Sequence, residues 1–180
     1  MKLKIEEIVI RYPKDLLDSW KQGDKSWIPE QLYVPNDVHN QQSYHFGEYF
    51  TLAHYSKLGW QGTAFYALGD WEPNNPKYTL GRDLVAKHLD PKKLAVLKAI
   101  RGSKTSGEPD LFLYREDGSI LFLEVKKESD RISVEQLLCL AQIKSIFGCE
   151  VGVVYLAETN QNYTPKTYEL DVIEFPKGWL

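Results

Sequence analysis

One feature constrains this chain more than any other: two apolar runs, residues 109–115 and 119–127, separated by Glu116-Asp117-Gly118. Each run has strand length, and Asp-Gly between such runs signals a hairpin. Loop length then sets the register. A two-residue Asp117-Gly118 turn puts Asp110 opposite Val125. A three-residue loop with Gly118 in the left-handed position puts Arg115 opposite Ser119 and, counting back, Asp110 opposite Glu124. Side chains two apart on a strand share a face, so Glu124 and Lys126 point together and Val125 points away. Only an odd loop, or an equivalent bulge, gathers Asp110, Glu124 and Lys126 at one place.

The rest of the chain supplies a frame for that hairpin. Residues 2–11 read as a strand, and residues 13–22 as a short helix with proline in its first turn. Residues 23–40 carry Pro29, Pro35 and Asn36 and read as a loop with aromatic anchors. A helix is expected from Ser43 to Lys57, ending at Gly59. Residues 61–68 are a candidate strand, residues 69–76 a breaker, and residues 82–101 a partly helical basic stretch. Ser133-Val134-Glu135-Gln136 is a capping box ahead of a helix ending near Phe147-Gly148. Residues 151–156 follow as a buried strand, and residues 168–175 could be an edge strand or a dimer contact. A hairpin, then a helix, then another strand implies an α/β protein with a mixed sheet flanked by helices. The expected layout is one domain over residues 1–180. Its core spans about 43–156, with an N-terminal extension 1–42, an insert 69–106 and a C-terminal extension 157–180.

Composition narrows the function classes. Hydrophobic residues make up 43% and charged residues 26%, which suits a globular core rather than disorder. The apolar runs are far too short to cross a bilayer, so no membrane association is expected. Acids in the first seven residues leave no export signal, and the expected location is cytoplasmic. Cys139 and Cys149 lack metal-site spacing and read as core thiols. His39, His45, His54 and His88 form no metal-binding spacing either, although His45 lies three before Glu48 and could line a site there. The net charge of −3 does not favour nucleic acid. Residues 82–104, however, hold seven bases against two acids, which is either a solvated helix face or a DNA-facing one. Trp60, Phe65, Tyr66 and Trp71 read as core and loop anchors before base-stacking groups.

In the odd register, Asp110 and Glu124 face each other, and each raises the other's proton affinity unless a cation intervenes. A hard divalent ion with oxygen ligands resolves that conflict. It would also acidify a water and neutralise charge on a phosphate. Lys126 would orient or help deprotonate that water, or stabilise the transition state.

At these residues the chain resembles the PD-(D/E)XK nucleases: Gly107-Glu108-Pro109-Asp110, then Glu124-Val125-Lys126. The wider run is similar to the VRR-NUC branch, adding Asp130-Arg131-Ile132-Ser133 and Gln136. The resemblance implies a restriction-endonuclease-like core of order αβββαβ. It also implies a Mg²⁺- or Mn²⁺-dependent nuclease acting on branched, flapped or junction DNA in repair or recombination, with a homodimer as one expectation. It implies an active-site role for Gln136 beyond the capping box, and a further acid on the first core helix. Glu48 is the candidate, because Leu52 and Tyr55 place it beside an apolar face. The implied catalytic set is Glu48, Asp110, Glu124, Lys126 and Gln136, with Asp110, Glu124 and Glu48 as metal ligands. Lys127 and Arg131 are candidate phosphate contacts. The alternative is a nuclease-like fold serving as a binding or assembly module without catalysis.

Overall fold

The computed structural model describes residues 2–32, 45–70, 74–102 and 106–172. Among these residues six strands form one sheet: β1 (Lys2–Tyr12), β2 (Gln61–Thr63), β3 (Leu111–Tyr114), β4 (Ile120–Lys127), β5 (Glu150–Glu158) and β6 (Thr167–Asp171). Their order across the sheet is β2-β3-β4-β5-β1-β6. The β2–β3, β3–β4 and β1–β6 pairs are antiparallel, while β4–β5 and β5–β1 are parallel. The sheet is therefore mixed, and its helical cover makes this an α/β restriction-endonuclease-like fold.

Among the described residues five α-helices cover the sheet: α1 (Lys14–Lys21), α2 (Phe46–Ser56), α3 (Thr79–His88), α4 (Pro91–Arg101) and α5 (Val134–Phe147). Strand period divides the core into two layers. Leu111, Leu113, Leu121, Leu123 and Val125 turn to one face and pack with Leu17 and Trp20 of α1 and Phe46, Tyr49 and Leu52 of α2. Phe112 and Phe122 turn to the other face, where Val85 of α3, Leu97 of α4 and Cys139, Leu140, Ile143 and Ile146 of α5 cover them. Each buried Leu, Ile or Phe there contributes about 1.5–3 kcal/mol. By the same alternation Glu124 lies on the α5 face and Val125 on the α2 face.

The hairpin closes as the odd loop requires. The Arg115 N–H donates to Ser119 O at 3.0 Å and the Gly118 N–H to Arg115 O at 3.1 Å. Gly118 has φ +83°, a conformation a side chain would strain. The ladder pairs Leu111 with Leu123, so one step further brings Asp110 opposite Glu124. At α5, Ser133 and Gln136 form the expected capping box and Gly148 ends the helix in the left-handed region.

Residues 2–12 form the expected strand and residues 167–171 an edge strand; β1 pairs with both β5 and β6, so the sheet has two strands beyond the predicted core. One expectation is corrected. The strand expected over residues 61–68 stops at Thr63. There the Thr63 hydroxyl accepts the Phe65 N–H at 2.9 Å and turns the chain, and Phe65, Tyr66 and Leu68 are buried as loop anchors instead. The basic stretch is helical nearly throughout, as α3 and α4, with Asp90 capping α4 through the Lys92 and Lys93 N–H groups. The expected helix start at Ser43, with His39 and Trp71, lies outside the described residues. No described helix is long and apolar enough to cross a membrane.

Candidate active site

The site gathers where β3 begins, β4 ends and α5 starts. Glu124 is 1% exposed, although it carries a carboxylate. Its Oε1 accepts from Lys126 Nζ at 2.6 Å, as two side chains on one strand face can arrange, and from Gln136 Nε2. The other end of the Gln136 amide accepts the Ser133 N–H at 2.9 Å. That bond fixes which end of the amide meets Glu124. Gln136 is thus both half of the capping box and a ligand of the buried carboxylate. Sequence alone found the first role; the second came only from resemblance.

The second oxygen of Glu124, Oε2, is buried and has no hydrogen-bond donor. Facing it across the ladder is Asp110, whose Oδ2 accepts the Val125 N–H at 2.7 Å. Both carboxyls are held above their ordinary range. For Asp110 the first cause is burial and the second the negative charge of Glu48; the Val125 N–H opposes them. For Glu124 burial again leads, followed by the charge of Asp110, with Lys126 opposing. Two acceptor-only groups sharing a buried space require a proton or a cation between them.

Glu48, in the first turn of α2, is close enough to act electrostatically on Asp110. Its Oε1 accepts from His45 Nδ1 at 2.8 Å. Three carboxylates (Glu48, Asp110, Glu124) against one ammonium (Lys126) leave two negative charges when all are ionised, the charge of a divalent cation. Among the described residues no group of three or more His, Cys, Asp or Glu side chains is drawn to ligating distances. The donor set nevertheless fits a hard ion such as Mg²⁺, which uses one or two carboxylates and completes its shell with water and phosphate oxygens.

Residues that sequence reasoning passed over hold this arrangement from behind. The Tyr66 hydroxyl donates to Pro109 O at 2.6 Å. Glu108 accepts the Leu68 and Gly69 N–H groups, each at 3.1 Å, so the loop after β2 is bound to the residue pair preceding Asp110. Gly107, at φ +84°, lies so close to α5 that an added Cβ would sit 2.8 Å from Glu135 O. The only sequence signal for these roles was adjacency, in Gly107-Glu108-Pro109-Asp110.

The other candidates lie outside the carboxylate cluster. Arg131 is exposed and Lys127 sits 3.6 Å from Glu128. His88 stacks on Tyr114, and His54 packs on Tyr55. Phe65 and Tyr66 are buried, and Trp60 lies under the Arg115 guanidinium, so these aromatics are anchors. Cys139 and Cys149 are free thiols, and burial pushes both up to about 12.

Comparison with known proteins agrees with the geometry. The family model described as VRR-NUC domain matches residues 72–158, a span that contains Asp110, Glu124, Lys126 and Gln136. No curated protein matches the chain.

Proposed function

From the premise that this chain carries a VRR-NUC domain, a nuclease domain of the PD-(D/E)XK type, we propose that it is a metal-dependent phosphodiesterase cutting DNA of branched, flapped or junction form. The observation that supports this reading best is the donorless buried Oε2 of Glu124 opposite Asp110. Two buried acids face to face need a shared proton or a cation between them, and leaving one oxygen unsatisfied costs about 1–3 kcal/mol.

Asp110 and Glu124 would hold Mg²⁺ or Mn²⁺, with Glu48 as a third acid. When bound, such an ion polarises a phosphate oxygen and acidifies a water. The chain's own groups do the rest. Gln136 and Lys126 occupy Oε1 of Glu124, which leaves Oε2 as the free donor atom. The Lys126 ammonium, 13% exposed beside the 1% exposed Glu124, would supply positive charge to an attacking water or to the phosphate as its charge develops. The Val125 N–H fixes one Asp110 oxygen. The bases of α3 and α4 are the candidate phosphate-contacting surface. A two-fold dimer would match a symmetric four-way junction, and sedimentation of the purified protein reads that out.

The test is cleavage of labelled flap, fork, four-way and single-stranded DNA, with Mg²⁺ or with EDTA, by wild type and Lys126→Ala in parallel. Metal-dependent cutting by wild type alone supports the proposal. Equal cutting by both proteins removes the mechanism, and no cutting of any substrate leaves a binding module as the reading.

A further inference from the structure

His45 is the N-cap of α2, yet it caps nothing with its side chain. Its backbone is left-handed, at φ 60° and ψ 5°, one of two such non-glycine residues among those described. An ordinary N-cap is extended and its side chain accepts the N–H of the third helical residue. Here the relation is inverted. The third helical residue is Glu48, and its carboxylate can only accept, so His45 Nδ1 carries the proton and donates across 2.8 Å. The ring is 13% exposed and meets buried Phe65 edge to face at 5.4 Å, which fixes its plane. Strained backbone is kept where surrounding structure imposes it, often at functional sites.

We propose that His45 is a positioning residue. Its left-handed turn swings the imidazole over the first turn of α2, and the Nδ1–H holds the Glu48 carboxylate on the Asp110 side, so that Glu48 serves as the third acid. Without that bond, Glu48 would be free to fold back on the N-cap N–H, as acids at this helix position do. This inference rests on the metal-site reading above.

Three substitutions in the full chain separate donor, strain and ring. His45→Gly removes the donor and relieves the strain. His45→Asn tolerates the left-handed conformation and carries an amide nitrogen the same number of bonds from the backbone as Nδ1. Glu48→Gln removes the acid itself. Binding of MnCl₂ is followed without DNA by the loss of the free-ion electron spin resonance signal, and melting is recorded in EDTA. Expected are roughly tenfold weaker Mn²⁺ binding in His45→Gly with its melting temperature held or raised, and near wild-type binding in His45→Asn. His45→Gly should add nothing to the loss in Glu48→Gln. Wild-type Mn²⁺ affinity in His45→Gly overturns the proposal, as does equal weakness in His45→Asn. Metal binding that depends on His45 in a protein that cuts no DNA would keep this inference and remove the nuclease; absence of Mn²⁺ binding by wild type removes both.

Discussion

Two glutamates are buried in the same sheet, on the same face and in the same cross-strand row. Glu124 of β4 and Glu7 of β1 each pair with Val153 of β5. Glu7 accepts from the Tyr163 hydroxyl at 2.6 Å, the Tyr168 hydroxyl at 2.6 Å and the Lys166 N–H at 2.8 Å. Burial, and after it the bond to Glu7, holds both phenols well above their usual range, so they remain donors. Glu124 has donors on one oxygen and a second carboxylate facing the other. The same residue type at the same depth thus does opposite work. A carboxylate saturated by donors fastens the fold: Glu7 ties the segment around β6 to β1. A carboxylate left facing another acid is unfinished until something positive arrives.

Cleavage separates the two glutamates most sharply. Asp110→Asn and Lys126→Ala should each lose roughly 10²–10³-fold or more in rate on the substrate wild type prefers, by analogy with the removal of a transition-state charge partner. Glu7→Ala should cut at the wild-type rate at temperatures where it is folded. Loss of cutting in folded Glu7→Ala would erase the distinction.

Stability without metal should move in opposite directions. Removing Glu7 strands two phenols and a backbone N–H, and costs about 3 kcal/mol in urea unfolding. Asp110→Asn replaces an acceptor by an amide that can donate to Glu124 Oε2, and should gain about 1–2 kcal/mol in EDTA. That gain should be absent with Mg²⁺, because metal at 100 times its dissociation constant stabilises wild type by about 2.7 kcal/mol and the variant not at all.

The pH dependence sharpens the same contrast. Asp110 and Glu124 bind protons more tightly folded than unfolded. Both states are protonated at low pH, so no penalty exists there. It appears as pH rises above the ordinary carboxylate range and is complete once both acids ionise in the fold. Metal-free wild type should therefore lose stability from this pair as pH rises above the ordinary carboxylate range, Asp110 first and Glu124 on the alkaline side of neutrality, with a slope below ~1.4 kcal/mol per pH unit for each proton. Melting in EDTA across pH should show a shallower fall in Asp110→Asn. Metal affinity should rise over the same interval, and a flat affinity would count against proton–metal competition.

The smallest expected effects lie in the capping box. Ser133→Ala should cost about 1 kcal/mol in stability and leave cleavage nearly unchanged. Gln136→Ala should cost similar stability and about 10-fold in activity, because Gln136, unlike Ser133, also bonds Glu124.

Local rules reached much of this structure from the sequence. The hairpin register followed from strand period and loop length, and it placed Asp110 against Glu124. The capping box and the ends of α5 are likewise encoded within a few residues. What escaped depended on distant partners. Residues 2–11 read as a strand, but nothing local said that β1 would lie between β5 and β6. The run Phe65 to Leu68 reads as strand by composition, yet the Leu68 backbone finds the Glu108 carboxylate instead of a ladder. Gln136 showed its backbone role at the helix start, while its grip on Glu124 belongs to the opposite end of the amide. Glu48 could be named, but its approach to Asp110 depends on how α2 docks.

The place of β1 has a consequence for how the molecule is made. Its partners are residues 153–158 and 167–171, both near the other end of the sequence. Closing a loop of that length is entropically slow. A chain still emerging from the ribosome can close the hairpin and the β4–α5–β5 crossover while β1, made before either of its partners, waits unpaired. The carboxylate pair can therefore assemble before the sheet is whole, since β1 must wait for partners that follow it by more than 140 residues.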